Sequence, residues 1–172
     1  MKAAEWQQPR QSPVSSLQSP RPRVPASSSI GYSDGVRILA IDFGERRIGL
    51  ATSDATGALA TPRATLERRD DSRAVREILQ FCDDEEIGLL LVGLPRSPGG
   101  VESPFAARIR SFAAKLASMT AIPLRFHEET LTSREAASRL PPGASKGDVD
   151  RMAAAVLLED YLAHGEPSAW PR

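Results

Sequence analysis

Residues 87–92, Ile-Gly-Leu-Leu-Leu-Val, form the most continuously apolar stretch of the 172-residue chain. A strand with one wet face alternates apolar and polar residues, so an unbroken run this short is expected to be buried on both faces, central and parallel in a sheet. The segments around it supply the cover. From Asp71, residues Val75, Ile78, Leu79 and Cys82 recur at helical spacing, and the acidic run Asp83-Asp84-Glu85-Glu86 closes that helix as a solvated face. Gly93-Leu94-Pro95 ends the strand, and 96–102 reads as a Pro/Gly loop. Phe105, Ile109, Phe112 and Leu116 then share a second helical stripe, and 122–126 reads as another strand.

Upstream, Ile38-Leu39-Ala40-Ile41-Asp42 is a short apolar run that ends on an acid. A Gly-Glu-Arg-Arg connection then leads into 48–53, and two strands so closely linked predict a hairpin. A third strand over 58–66 contains Thr61-Pro62, which belongs on an edge or at a bulge because proline donates no ladder hydrogen bond. Downstream, Thr132-Ser133-Arg134-Glu135 has the capping-box pattern of a helix start, and Pro141-Pro142-Gly143 breaks that helix. A last helix over 148–163 turns Val149, Met152, Ala153, Val156 and Leu157 inward. Three strands followed by alternating helices and strands predict an α/β protein: a mixed five-stranded sheet flanked by helices.

The chain carries 22 basic and 22 acidic residues. Residues 1–35 hold five prolines, eight serines, four basic and two acidic residues. Too little apolar surface is available there to offset chain entropy, which predicts a disordered tail; an Arg- and Ser-rich transit peptide is the alternative. The domain is expected over 36–165, with a short C-terminal tail over 166–172. Without the N-terminal tail 18 basic and 20 acidic residues remain, so bulk electrostatic binding of nucleic acid is excluded and a local arginine patch is required. Arg46, Arg47, Arg63, Arg68, Arg69 and Arg96 are its candidates. No run of about 18 apolar residues predicts a membrane span. The single cysteine, Cys82, excludes an internal disulfide and a multi-cysteine zinc site, packs as a small apolar side chain, and fits a cytoplasmic protein.

Three acids fall where elements end at a common rim: Asp42 after the first strand, Glu129 or Glu128 after the last, and Asp150 in the first turn of the final helix. Converging carboxylates repel unless a cation holds them, and Mg²⁺ or Mn²⁺ suits oxygen ligands. Two such ions about 4 Å apart serve phosphodiester hydrolysis. Gly44 permits close backbone approach to a phosphate or metal, and Arg46, Arg47 and Arg96 offer forked donors to phosphate oxygens. Asp42-Phe43-Gly44 also occurs in protein kinases, but the other kinase motifs are lacking.

The run Ile38-Leu39-Ala40-Ile41-Asp42-Phe43-Gly44-Glu45-Arg46-Arg47-Ile48-Gly49-Leu50-Ala51-Thr52-Ser53-Asp54 closely resembles the opening of the YqgF (RuvX) family of pre-16S rRNA nucleases, also called Holliday-junction-resolvase-like proteins. Leu91-Val92-Gly93-Leu94-Pro95, His127 to Ser133 and Lys146 to Tyr161 are similar to three further blocks of that family, in order and spacing. The resemblance covers about residues 37–163. It implies an RNase H-like fold, a divalent metal (Mg²⁺ or Mn²⁺), and nuclease action on structured nucleic acid, in bacteria on the 5′ end of the small-subunit rRNA precursor. By position, Asp42, Glu129 and Asp150 would be the acidic triad, catalytic and metal-binding, with Gly44, Arg46, Arg47 and Arg96 toward substrate. Glu128 stands where the family usually has Asp, Thr130 where it has Arg, and the segment from Arg96 lacks the usual Asn and Asp. The partners expected are precursor rRNA, or branched DNA, with a monomer or homodimer in the cytoplasm. Two rival readings are a non-catalytic RNA- or ribosome-associated module, and phosphate binding of the actin-like ATPase and sugar-kinase type, which normally needs two such domains.

Overall fold

A computed structural model describes residues 35–96, 101–129, 133–164 and 168–169. The expected tail over 1–35 lies outside the described residues except for Gly35, as do positions 97–100 of the expected loop and Thr132 of the expected capping box.

The hairpin forms as the short connection demands. β1 (Arg37–Phe43) pairs antiparallel with β2 (Arg47–Ser53), and β2 pairs antiparallel with β3 (Ala60–Glu67). β3 is an edge strand, and its register slips so that Ala51 meets Pro62 while Leu50 meets Ala64. Pro62 therefore sits at both an edge and a bulge, where its missing N–H costs the ladder nothing. Helix α1 (Asp71–Asp84) follows, then β4 (Ile87–Pro95), α2 (Pro104–Ser118), β5 (Leu124–Glu129), α3 (Ser133–Ser138) and α4 (Lys146–His164). The sheet order is β3-β2-β1-β4-β5-β6. The five expected strands are present, and the two-residue β6 (Ser168–Ala169), within the stretch read as a C-terminal tail, extends the β5 edge.

β4 is central and parallel to both neighbours, as its composition requires. It runs on through Gly93-Leu94-Pro95, which the sequence reads as its terminator. β5 likewise starts at Leu124 and continues to Glu129, past the expected end at 126. The two extensions have one cause: Leu94 pairs with Glu128 and Pro95 with Glu129, so each strand end is held by the other. The start is delayed because Pro123 has no N–H to give; its carbonyl instead accepts from the Leu90 amide at 2.9 Å.

Alternation along the strands builds two cores. Leu39, Ile41, Phe43, Ile48, Leu50, Leu90, Val92 and Phe126 face α1 and α2, meeting Val75, Ile78, Ile109, Phe112 and Leu116. Ile38, Ala40, Ala51, Leu89 and Leu91 face α4, meeting Ala154, Ala155, Leu157, Leu158 and Tyr161. The expected inward stripe of α4 is too narrow: Ala154, Ala155, Leu158 and Tyr161 are buried beside Val156 and Leu157, whereas Val149, Met152 and Ala153 are only partly covered. α4 is enclosed on several sides because it crosses β1, β2 and β3 and also carries α3.

The acidic run after α1 is not wholly solvated. Glu85 accepts from Arg37 Nη1 at 3.2 Å and pairs with Arg63, which ties the helix end to β1 and β3. Cys82 is buried, and desolvation pushes its thiol up to about 12, so it packs without reacting.

Asp54 organises the turn from β2 to β3. Its carboxylate accepts from the Ala58 and Leu59 amides at 2.8 and 2.9 Å, and from the Thr56 hydroxyl and amide. The Thr56 hydroxyl and these amides hold the acid down at about 2. A depressed carboxyl stabilises the fold fully above its unfolded value near 3.8, and that contribution is lost as pH falls from there through about 2. Urea melts of wild type and Asp54→Ala are expected to differ most at pH 6 and progressively less as pH falls from about 4 toward 2; a difference independent of pH would contradict this.

Candidate functional site

Strands β1, β4 and β5 are parallel, so their carboxyl ends share one rim, where ligands of open α/β sheets collect. Ile41 is level with Val92, and Val92 with Phe126. One position further on, Asp42, Gly93 and His127 form a row across the rim. Asp42 lies within β1 rather than after it. It alternates with Ile38 and Ala40, which face α4.

Asp150 reaches the same place from the other layer. The Cα partner of Asp42 on β2 is Gly49. A Cβ built on Gly49 would overlap the Asp150 carbonyl oxygen, so backbone rests on backbone there and no larger residue fits. A second tie, from the Thr65 hydroxyl to the Gly147 carbonyl at 2.7 Å, holds the start of α4 against β3. These contacts seat Asp150 one strand away from Asp42.

The helix begins earlier than the sequence reading placed it. Ser145 and Asp148 cap each other, with Ser145 N–H donating to Asp148 Oδ2 at 2.8 Å and Asp148 N–H to Ser145 Oγ at 3.1 Å. The Ser-x-x-Asp spacing over 145–148 is the signal that could have shown it. Asp150 is consequently in the second turn, not the first. The positive helix end, whose influence fades within one turn, accounts for Asp148 but not for Asp150.

Arg47, expected to face substrate, turns inward instead. Its Nε donates to Asp150 Oδ2, and both side chains are partly buried. That hydrogen bond raises the arginine pKa above its ordinary value. Gly44 is needed by the hairpin itself: its N–H donates to the Arg47 carbonyl at 2.8 Å, and a Cβ on it would stand 2.6 Å from that oxygen. Arg68 is also structural, stacked 4.4 Å over the Phe43 ring and paired with Asp71 at 3.3 Å. Arg63 and Arg69 pair with Glu85 and Glu67. Arg46 stands exposed at the hairpin tip with no ion pair among the described residues. Arg96 is exposed 3.6 Å from Glu128.

Glu128 and Glu129 differ in register. Glu128 pairs with Leu94, is exposed and meets Arg96. Position 129 ends β5 opposite Pro95, two residues beyond His127 and four beyond Arg125. Both of those residues meet α4: His127 Nε2 lies 2.6 Å from Asp160 Oδ2, and Arg125 Nη1 donates to the Tyr161 hydroxyl at 3.1 Å. This clamp between β5 and α4 was not foreseen, since no local pattern links residues so far apart. The Glu129 side chain lies outside the described part of the structure. Among the described residues no three acidic, histidine or cysteine side chains form a metal cluster, and no helix is long and apolar enough to cross a membrane.

Comparison with known proteins places the chain. The RuvX family, described as Holliday junction resolvase, matches residues 36–164. The chain belongs to the RuvX family. A relative in Chloroflexus aurantiacus, provisionally named a pre-16S rRNA nuclease, is 36% identical over 130 residues, covering 73% of this chain and 85% of its own. One from a Roseiflexus species, with the same name, is 35% identical over 135 residues, covering 76% and 96%. Among solved structures, Thermus thermophilus RuvC superimposes with a TM-score of 0.53 at 13% identity, covering 78% of this chain and 100% of that one. The same protein in complex with a Holliday junction substrate gives 0.51 at 12% identity, covering 78% and 99%. The RuvX-family chain thus has the RNase H-like fold expected of it.

Proposed function

We propose that this RuvX-family nuclease hydrolyses phosphodiester bonds of structured nucleic acid with a divalent cation, Mg²⁺ or Mn²⁺, and that its substrate is the 5′ region of the 16S rRNA precursor. The observation that carries the reading is the Gly49 seat, which brings Asp150 of α4 to within one strand of Asp42. The donor set fits a hard cation: two carboxylates from separate layers, one of them already neutralised by a guanidinium that stands where positive charge is wanted. Asp42 and Asp150 would hold the ion and Glu129 would complete the site. Register favours Glu129 over Glu128, which is exposed and engaged with Arg96. When bound, the ion supplies an activated water and charge stabilisation for the leaving oxygen.

The remaining work falls to the chain. Arg46, free at the hairpin tip, offers a fork to a backbone phosphate, and Arg96 a second on the far side of the rim. With so few cations, recognition rests on the shape and backbone of the substrate rather than on bulk charge. The names of the relatives support rRNA, and a cytoplasmic monomer or homodimer accords with that role. The RuvX description and the RuvC fold favour branched DNA as the second reading.

The two are separated by presenting precursor 16S rRNA and a four-way DNA junction side by side in Mg²⁺. Cleavage of the rRNA near its mature 5′ end is expected. Cleavage of the junction alone would replace it with the resolvase reading, and RNA binding with no cleavage of either would favour a non-catalytic module.

A further inference from the structure

We propose that Arg47 is a built-in counter-cation that occupies Asp150 until a divalent ion displaces it, and that the released guanidinium then binds a nucleic-acid phosphate. Metal and substrate would thereby bind cooperatively. This deepens the reading of Asp150 as a metal ligand and rests on it.

The geometry sets the two engagements of Asp150 in competition, because both place positive charge on one carboxylate. Arg47 Nε donates to Oδ2, one of only two oxygens the carboxylate has. A divalent cation on the same carboxylate meets the guanidinium's positive charge at close range, and the guanidinium has donors only and nothing to offer a metal, so repulsion drives it off. The backbone of Arg47 is tied down and its side chain is partly open to solvent. Its carbonyl closes the hairpin with Gly44 N–H, whereas the side chain is 33% exposed and sits on the rim beside exposed Arg46. Leaving Asp150 therefore costs no backbone movement and delivers a second fork next to Arg46. By linkage, a metal that frees a phosphate donor tightens substrate binding, and substrate tightens metal binding by the same factor.

The competing explanation is that Arg47 merely fastens β2 to α4. The two make opposite statements about metal affinity, since a competitor weakens it and a fastener strengthens it. Calorimetric titration of the full chain with Mn²⁺ decides between them. Arg47→Gln is expected to bind Mn²⁺ about two- to fivefold more tightly than wild type, the range of a solvent-screened ion pair. Arg47→Lys, which keeps a point charge but loses the fork, should fall between them and carries the test if the glutamine variant fails to fold. Asp150→Asn is expected to lose at least about tenfold in affinity. In EDTA, with a 20-base-pair RNA duplex as probe, Asp150→Asn should show a salt dependence steeper by about one counterion than Asp150→Asn/Arg47→Gln. Unchanged or weaker Mn²⁺ binding by the Arg47 variants, with Asp150→Asn still impaired, would overturn the proposal and leave the metal site standing. Unaltered Mn²⁺ binding by Asp150→Asn would remove the metal site and the proposal together.

Discussion

Gly49→Ala is expected to unseat α4 and lose stability and activity together. The new methyl would occupy the space of the Asp150 carbonyl oxygen, and its obstacle is backbone, which cannot rotate away. The helix must lift from β2 or the strand must bend. Overpacking of this kind costs about 1–3 kcal/mol, or about 2–12 °C of melting temperature in a domain of this size. The displacement also carries Asp150 away from Asp42, and a misplacement of about 1 Å at a catalytic group costs on the order of a hundredfold in rate. Thermal unfolding beside a cleavage assay checks both halves; a variant that melts and cleaves like wild type would show that α4 does not rest on Gly49.

Asp150→Asn separates the two effects. The substitution keeps size and shape, and the pair it breaks with Arg47 is partly exposed to solvent, so stability should stay within about 1 kcal/mol of wild type. The rate should nevertheless fall at least about a hundredfold, because a neutral amide holds a divalent cation more weakly and does not offset its charge. Denaturant melts with single-turnover cleavage report the two quantities independently. Loss of stability with full activity would assign Asp150 to the scaffold and not to the chemistry.

How far the sequence reveals this protein depends on how far apart the deciding contacts lie. The apolar run at 87–92 announces a central strand by itself, and the Gly-Glu-Arg-Arg link announces its hairpin, because both signals are local. The ends of β4 and β5 are illegible because Gly93-Leu94-Pro95 and His127-Glu128-Glu129 are poor strand formers alone and become strand only by pairing with each other. The start of α4 is legible in the Ser145–Asp148 spacing, where hydroxyl and carboxylate cap each other. The sequence places Asp42 and Asp150 at element ends, whereas Asp42 lies inside β1 and Asp150 in the second turn of α4, because strand pairing and the Ser145 cap extend both elements. The pairing of Arg47 with Asp150 is illegible in the sequence because the two lie 103 residues apart. Arg68 looks like a surface arginine in sequence, and only the fold lays it over Phe43.

We propose that Asp42 and Asp150, one strand apart through the Gly49 seat, hold the cation that promotes phosphodiester hydrolysis. This is tested most directly by incubating precursor 16S rRNA with purified wild-type protein and with Asp42→Asn, each in Mg²⁺, in Mn²⁺ and in EDTA. Wild type should cleave in either metal and stop in EDTA, and Asp42→Asn should remain at background throughout. Equal cleavage by the two proteins, or cleavage undiminished in EDTA, would contradict the claim.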